Sequence, residues 1–380
     1  MSMLDVYPLF NIEPIRGEGA YVYDKQGQKY LDFYGGHAVI SIGHAHPGYV
    51  EALRDQAGKL GFYSNSVINT LQQEVDQLLK EVSGIGDGYD FFMINSGAEA
   101  NENALKLASF SNKRSRFIAL ENGFHGRTAA AIQVTQKMKH RTSFKLDADV
   151  CFVPMNDVEA LKSKLLKGDV CAVILEPIQG IGGVKICTSE YLDEVSKLTS
   201  EHGAIFIADE IQCGFGRSGK FFAHQYSECE PDIITIAKGM GNGFPVGGIL
   251  VKKGLLSIEY GMAGTTFGGN HMACRATKAV LEVMTQESLI SNARLQGDKL
   301  MIALRKMNGV KEVRGRGLMI GVEMEAPVSE FRKSLLYDYH VFTGSSSDPN
   351  VIRVLPPLNI NEDHCDQFLT QFDQLSKTHF

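Results

Sequence analysis

An α/β protein with a large, mostly parallel seven-stranded sheet and a smaller α+β domain assembled from both chain ends is the fold class that the sequence predicts. Three observations lead there. Between residues 88 and 251, seven apolar runs of strand length alternate with longer amphipathic segments, the pattern of a parallel sheet with helices on both faces. The residues before about 45 and after about 285 mix short strand and helix patterns, and neither piece is large enough to stand alone. A chain of 380 residues is too long for one small core and too short for three ordinary domains.

Taken in order, Tyr21-Val22-Tyr23 and Tyr30-Leu31-Asp32-Phe33 show strand-like alternation near the start of the chain. The apolar runs of the large sheet fall at 90–94, 116–120, 150–153, 172–175, 204–208, 233–236 and 247–251. Helical patterns occupy 99–110, 157–166 and 189–202. A further helix is expected over 289–307, with short strands at 318–324 and 351–355. The predicted division is a large domain over 45–284 and a small one from 1–44 with 285–380; there is no internal repeat or low-complexity tract.

Composition narrows the function. Apolar residues make up 44% and charged residues 22%, and no segment approaches the roughly 18 to 20 apolar residues of a membrane span. The formal charge is −6 with lysines and arginines scattered, so no nucleic-acid footprint is expected and small-molecule chemistry is. Asp5, Glu13, Arg16, Glu18 and Asp24 with no apolar core argue against a secretory signal, leaving the cytosol as the expected compartment. Seven widely spaced cysteines without a C-x-x-C pair read as buried thiols.

Three segments carry chemistry. The run 204–208 ends in Asp209-Glu210, and in open α/β sheets the carboxyl ends of strands line the ligand crevice. Asp209 can pair with a protonated ring nitrogen, or it can be an ordinary capping aspartate. The run 233–236 leads into Lys238 and a glycine-rich stretch, Gly239-Met240-Gly241-Asn242-Gly243. A desolvated lysine there offers a neutral amine able to form an imine and shuttle a proton, although a lysine that merely snorkels remains open. In Asn95-Ser96-Gly97-Ala98-Glu99, a strand turns into a helix whose first N–H groups, at Gly97 and Ala98, can cradle an anion, while Ser96 and Glu99 also suit a simple capping box.

These segments occur in order with Phe124-His125-Gly126-Arg127-Thr128, Glu176-Pro177-Ile178-Gln179-Gly180, Asp209-Glu210-Ile211-Gln212 and Gly264-Thr265-Thr266-Phe267-Gly268-Gly269-Asn270. Together they resemble the class-III aminotransferases over about residues 17–357. Phe124-His125-Gly126-Arg127-Thr128, Val313-Arg314-Gly315-Arg316-Gly317 and Ile352-Arg353-Val354-Leu355-Pro356-Pro357 most resemble the acetylornithine and ornithine enzymes of that class.

The resemblance implies the fold type I of transferases dependent on pyridoxal phosphate (PLP), as a homodimer with shared active sites. It makes Lys238 the residue that carries PLP and moves the proton, and Asp209 the partner of the ring nitrogen. Phe124 would stack on the ring, Gln212 would donate to the phenolic oxygen, and Gly97 and Ala98 would hold the phosphate. Thr266 would reach that phosphate from the partner chain. Arg127 would bind the substrate α-carboxylate, Arg353 the α-carboxylate of 2-oxoglutarate or glutamate, and Thr265, Tyr21 and His37 would lie near the substrate.

Three positions depart from the family pattern. Many relatives carry a glutamate where Ile181 stands, so Arg353 either has another partner or is gated differently. His37 stands where related enzymes carry an aliphatic or aromatic residue, and an imidazole there would favour a polar or anionic acyl group such as succinyl, or it is a plain packed histidine. His271 follows Asn270 where proline is common. His44 and His46 lie close together but have no carboxylate or cysteine at ligand spacing, so no metal site is expected.

The expected activity is transfer of the terminal amino group of an N-acylated ornithine, acetylornithine or succinylornithine, to 2-oxoglutarate, as in arginine biosynthesis. Free ornithine and 4-aminobutyrate are alternative donors. A PLP aminomutase or decarboxylase of the same fold and a non-enzymatic PLP-binding regulator are rivals. A nicotinamide oxidoreductase ranks last, because the glycines after Lys238 lack the G-x-G-x-x-G spacing.

Overall fold

Strands that are apolar throughout need cover on both faces, and the large sheet has it. In the computed structural model, which describes residues 4–136 and 149–379, this sheet contains β1 Tyr89–Ile94, β2 Arg116–Leu120, β3 Asp149–Val153, β4 Val170–Leu175, β5 Ile205–Asp209, β6 Ile233–Ile236 and β7 Gly247–Lys252. Their spatial order is β1-β7-β6-β5-β4-β2-β3. β7 is antiparallel to both of its neighbours, and every other pairing is parallel.

Alternate side chains of each strand enter different cores. Ile118, Val173 and Phe206 pack with Leu192 and Val195 of the helix Ser189–His202. Phe117, Ile174 and Ile207 pack with Ala104 and Leu107 of helix α1, Gly97–Asn112. Each such side chain, removed from water, contributes about 1.5–3 kcal/mol, so the strands that end at the site are firmly held.

The two glycines that open β7 have a steric purpose. A Cβ on Gly247 would lie 2.7 Å from the Ser96 carbonyl oxygen, and one on Gly248 would lie 2.5 Å from the Phe91 ring. Bare backbone there lets the turn between β1 and α1 settle onto the sheet.

The chain ends meet. Pro14–Glu18, Tyr21–Asp24 and Lys29–Asp32 form a sheet completed by Val341–Phe342, which pairs in parallel with Lys29–Asp32. Val310–Arg316, Met319–Met324, Val351–Val354 and Gly344–Ser345 form another. Leu31 and Phe33 share one apolar cluster with Ile352 and Phe368, and with Val280 of helix α2, His271–Gln286. The helix expected over 289–307 spans Leu289–Leu304. Asn270 caps α2 through its side chain, and nothing in the structure explains the histidine at 271.

Candidate active site

β1, β2, β4, β5 and β6 run in the same direction, so their carboxyl ends share one edge of the sheet. Asn95-Ser96, Phe124-His125, Glu176, Asp209 and Lys238 follow those ends and border a cavity of about 540 Å³. Arg127, Gln212, His37 and Arg353 border the same cavity.

Asp209 ends β5 and is 3% exposed. Its Oδ2 accepts from Asn101 Nδ2 at 2.8 Å and from His125 Nδ1 at 2.7 Å, and its Oδ1 accepts from the Ile211 N–H at 3.1 Å. Burial opposes charge on His125, but the hydrogen bond and negative charge of Asp209 outweigh it and hold the imidazole above its ordinary range. The carboxylate is thus fixed from behind by two side chains. Glu176 lies nearby, its oxygens accepting from the Phe124 and Gly180 N–H groups at 2.9 Å each. Burial, opposed by His125 and reinforced by Asp209, raises its pKa.

Lys238 follows β6 with φ of +47°, in a one-turn 3₁₀ helix. Burial pushes its amine below the usual lysine range, Asp209 and Glu176 pull it up, and Arg353 pushes it down again. The next residues are pinned from the N-terminal part of the chain. Ser41 Oγ donates to the Gly239 carbonyl at 2.7 Å, and Tyr49 Oη donates to the Gly241 carbonyl at 2.6 Å. Asn242, buried and at φ of +46°, accepts from the Ser41 and Ile42 N–H groups and donates to the Gly43 carbonyl.

Ser96 caps α1, but the expected capping box does not close, because Glu99 reaches back to the Asn95 N–H and not to that of Ser96. Ser96 Oγ accepts from the Glu99 N–H at 3.2 Å, and Glu99 Oε2 accepts from the Asn95 N–H at 2.6 Å. That leaves the first-turn N–H groups of Gly97 and Ala98, which have no partner within the helix, on the cavity wall. A Cβ on Gly97 would lie 2.9 Å from the Ile211 side chain.

Exposed Arg127, on the same cavity wall, sits 5.1 Å from the centre of the Phe124 ring. Arg353 is buried, and among the described residues no carboxylate pairs with it. Its Nε donates to the Ser345 carbonyl at 2.5 Å and its Nη1 to Gln212 Oε1 at 3.1 Å, while Ile181 contributes only an apolar wall. The partners of Arg353 are therefore neutral: a side-chain amide, a backbone carbonyl and the Tyr34 side chain. His37 lies in a left-handed turn in which Gly35, Gly36, His37 and Ala38 have φ of 54, 53, 70 and 61°. Its Nδ1 bonds the Tyr34 hydroxyl. Burial, with Arg353, Lys238 and Arg127 nearby, lowers its pKa.

Three expected site residues do not reach this cavity. Tyr21 lies off the cavity in this protomer: its hydroxyl donates to Gln367 at 3.0 Å, its ring packs against His364 and carries Lys29 Nζ at 3.5 Å, and it borders the terminal core. The alternation that makes it a strand residue turns it away. The tyrosine on the cavity wall is Tyr7, from an N-terminal stretch with no periodicity to reveal it. Thr265 stands one residue back, its Oγ1 accepting from Asn95 Nδ2 at 3.0 Å, and Thr266 is not among the lining residues of this protomer. His125 and Asn101, which brace Asp209, carried no sequence signal of their own. His44 and His46 bond Asp32 and Glu287 at 2.8 Å each, and among the described residues no cluster suits a metal ion.

A buried carboxylate, a desolvated amine, the unpaired N–H groups of a helix start and two arginines thus surround one cavity at the carboxyl edge of an α/β sheet. The chain belongs to the class-III aminotransferases: residues 5–375 match that family. It is 39% identical to the acetylornithine aminotransferase of Caldanaerobacter subterraneus subsp. tengcongensis, over 98% of this chain and 96% of that one. Among solved structures it resembles the acetylornithine aminotransferase of Elizabethkingia anophelis, with TM-score 0.86 and 31% identity over 98% of this chain and 96% of that one. It also resembles the ornithine aminotransferase of Toxoplasma gondii, solved with PLP at partial occupancy in its active site, with TM-score 0.90 and 29% identity over 99% and 92%.

Proposed function

We propose that this chain is a PLP-dependent aminotransferase that passes the terminal amino group of an N-acylated ornithine, acetylornithine or succinylornithine, to 2-oxoglutarate. The observation that carries the reading is the meeting of Lys238, Asp209, the Gly97 and Ala98 N–H groups, Arg127 and Arg353 on one cavity. The residues fit the cofactor. An anionic tail suits the start of α1, a protonated ring nitrogen suits Asp209 braced by His125 and Asn101, and a flat ring suits Phe124. When bound, PLP supplies an electron sink for a carbanion at the amine-bearing carbon. Lys238 would hold the group through its aldehyde, and its amine would move the proton between the amine-bearing carbon and the exocyclic carbon of the ring. Arg127 receives the α-carboxylate of the acylated donor, and Arg353 that of 2-oxoglutarate or glutamate, each as a charge-assisted pair. His37 borders the donor toward its acyl end, and Thr265 stands behind the wall residue Asn95, from which its hydroxyl accepts a hydrogen bond.

The same reading makes the protein a cytosolic homodimer, with residues 45–284 as the large domain and 1–44 with 285–380 as the small one. Exposed Phe62, Tyr63, Val67, Ile68 and Phe267 form an apolar area beside Thr266, which supports a second copy seated there and Thr266 acting on the partner's phosphate. Light scattering should then give twice the chain mass of 41.8 kDa; a monomer refutes it.

Two experiments test the chemistry. Borohydride reduction of the PLP-loaded protein followed by peptide mapping should tag Lys238, and a tag elsewhere refutes the assignment. A panel of ω-amines with 2-oxoglutarate should give one glutamate per turnover, fastest with N-acetyl- or N-succinylornithine. Absence of glutamate points instead to a mutase or decarboxylase. A strong acetyl preference that is unchanged in His37→Ile removes the acyl-end role of His37.

A further inference from the structure

We infer that Gln212 is a positioning residue that competes with substrate carboxylates for Arg353, so that anion capture and the setting of the Gln212 amide form one coupled event. This rests on the aminotransferase reading of the site and adds a device within it.

The amide has only one workable orientation. Its Oε1 lies 3.1 Å from Arg353 Nη1, and its Nε2 lies 3.3 Å from the His37 carbonyl oxygen. A guanidinium only donates and a carbonyl only accepts, so an inverted amide would lose both bonds. Nor can the amide slide inward: a Cβ on Gly180 would fall 1.9 Å from Oε1, which shows how closely it is seated on that backbone.

Arg353 in turn has little choice of fork. Its Nε is committed to the Ser345 carbonyl at 2.5 Å. The Nη1–Nη2 end is what a bidentate carboxylate can reach; the guanidinium also hydrogen-bonds Tyr34, and Nη1 is the nitrogen that holds Gln212. An arriving carboxylate oxygen meets the lone pairs of Oε1 there. Because no carboxylate pairs with Arg353 among the described residues, the amide is its resting partner, and an anion displaces it. The displaced amide also lets go of the His37 carbonyl, removing one bond from a turn of four successive positive-φ residues that brings His37 to the cavity wall. By thermodynamic reciprocity, whatever holds Gln212 in place weakens anion binding, and a bound anion frees Gln212.

Glutarate tests this, since it carries two carboxylates but no amino or oxo group and cannot turn over. Its affinity is measured by calorimetry on the protein as purified, with cofactor absorbance recording what is loaded. Gln212→Leu should bind glutarate tighter by about threefold or more, because the competitor is gone. Gln212→Glu should bind it at least about tenfold more weakly, because a fixed carboxylate then occupies Nη1. In an Arg353→Gln background the three residues at 212 should bind alike. Gln212→Leu binding no tighter than the parent, Gln212→Glu within about threefold of it, or differences that persist without Arg353 would each overturn the inference. A protein that carries no cofactor on Lys238 sinks the aminotransferase reading instead, while the order of glutarate affinities still decides the competition.

Discussion

Replacing Asn242 by alanine should destabilise the protein far more than its place in a glycine-rich loop suggests. The side chain accepts from the Ser41 N–H at 2.8 Å and the Ile42 N–H at 3.1 Å, and it donates to the Gly43 carbonyl at 3.0 Å. Alanine leaves all three buried groups without a partner, each at a cost of about 1–3 kcal/mol. It also keeps an L-residue at φ of +46°, where alanine lacks the local bonding that makes asparagine tolerable, adding about 1 kcal/mol. Those contributions sum to roughly 4–10 kcal/mol, and water entering the vacated space should bring the net loss to about 4 kcal/mol. Urea denaturation followed by far-ultraviolet dichroism measures it. Because the same bonds hold residues 41–43 against the loop that bears Lys238, cofactor uptake per folded molecule should fall as well. A loss below about 1 kcal/mol with full uptake would refute the reasoning, since it would mean the three backbone groups find other partners at no cost.

Burial holds the Lys238 amine below its ordinary value of 10.5, so between its folded and unfolded pKa the cofactor-free fold binds fewer protons than the unfolded chain. The residue therefore works against folding at low pH, and that penalty fades as pH rises through the window. Cofactor-free Lys238→Met should melt higher than the parent at pH 7, with the gap closing toward pH 10; a constant or reversed gap contradicts this. Gly247→Ala places a Cβ 2.7 Å from the Ser96 carbonyl and should displace the start of α1, weakening PLP binding by about tenfold or more in an absorbance titration. Unaltered affinity would show that the cradle does not depend on that close approach.

Legibility followed the physics of each element. The runs at 116–120 and 233–236 coincide with β2 and β6, because strands covered on both faces must be apolar throughout. Asp209 and Lys238 stood out for the complementary reason, each being a charge that ends such a run. Tyr21 entered on the resemblance alone, and alternation shows only that it lies on a strand, not which face meets a cavity built from distant segments. Tyr7 comes from a stretch without regular structure, and Asn101 is an isolated polar residue on α1 whose partner, Asp209, lies 108 positions away. The neutral partners of Arg353 were equally hidden: Ile181 announced a missing carboxylate, but only folding brings Gln212, 141 positions distant, to Nη1.

The parallel pairing of Lys29–Asp32 with Val341–Phe342 has a price in time. Translation at about 5–20 residues per second leaves that early strand without its final neighbour for roughly 15–60 s. Throughout, it offers an open hydrogen-bonding edge to any passing chain. The early segment is thus the region in most need of a chaperone during synthesis, and a ribosome stalled shortly before codon 341 should yield aggregation-prone chains even though every strand of the large sheet has already emerged.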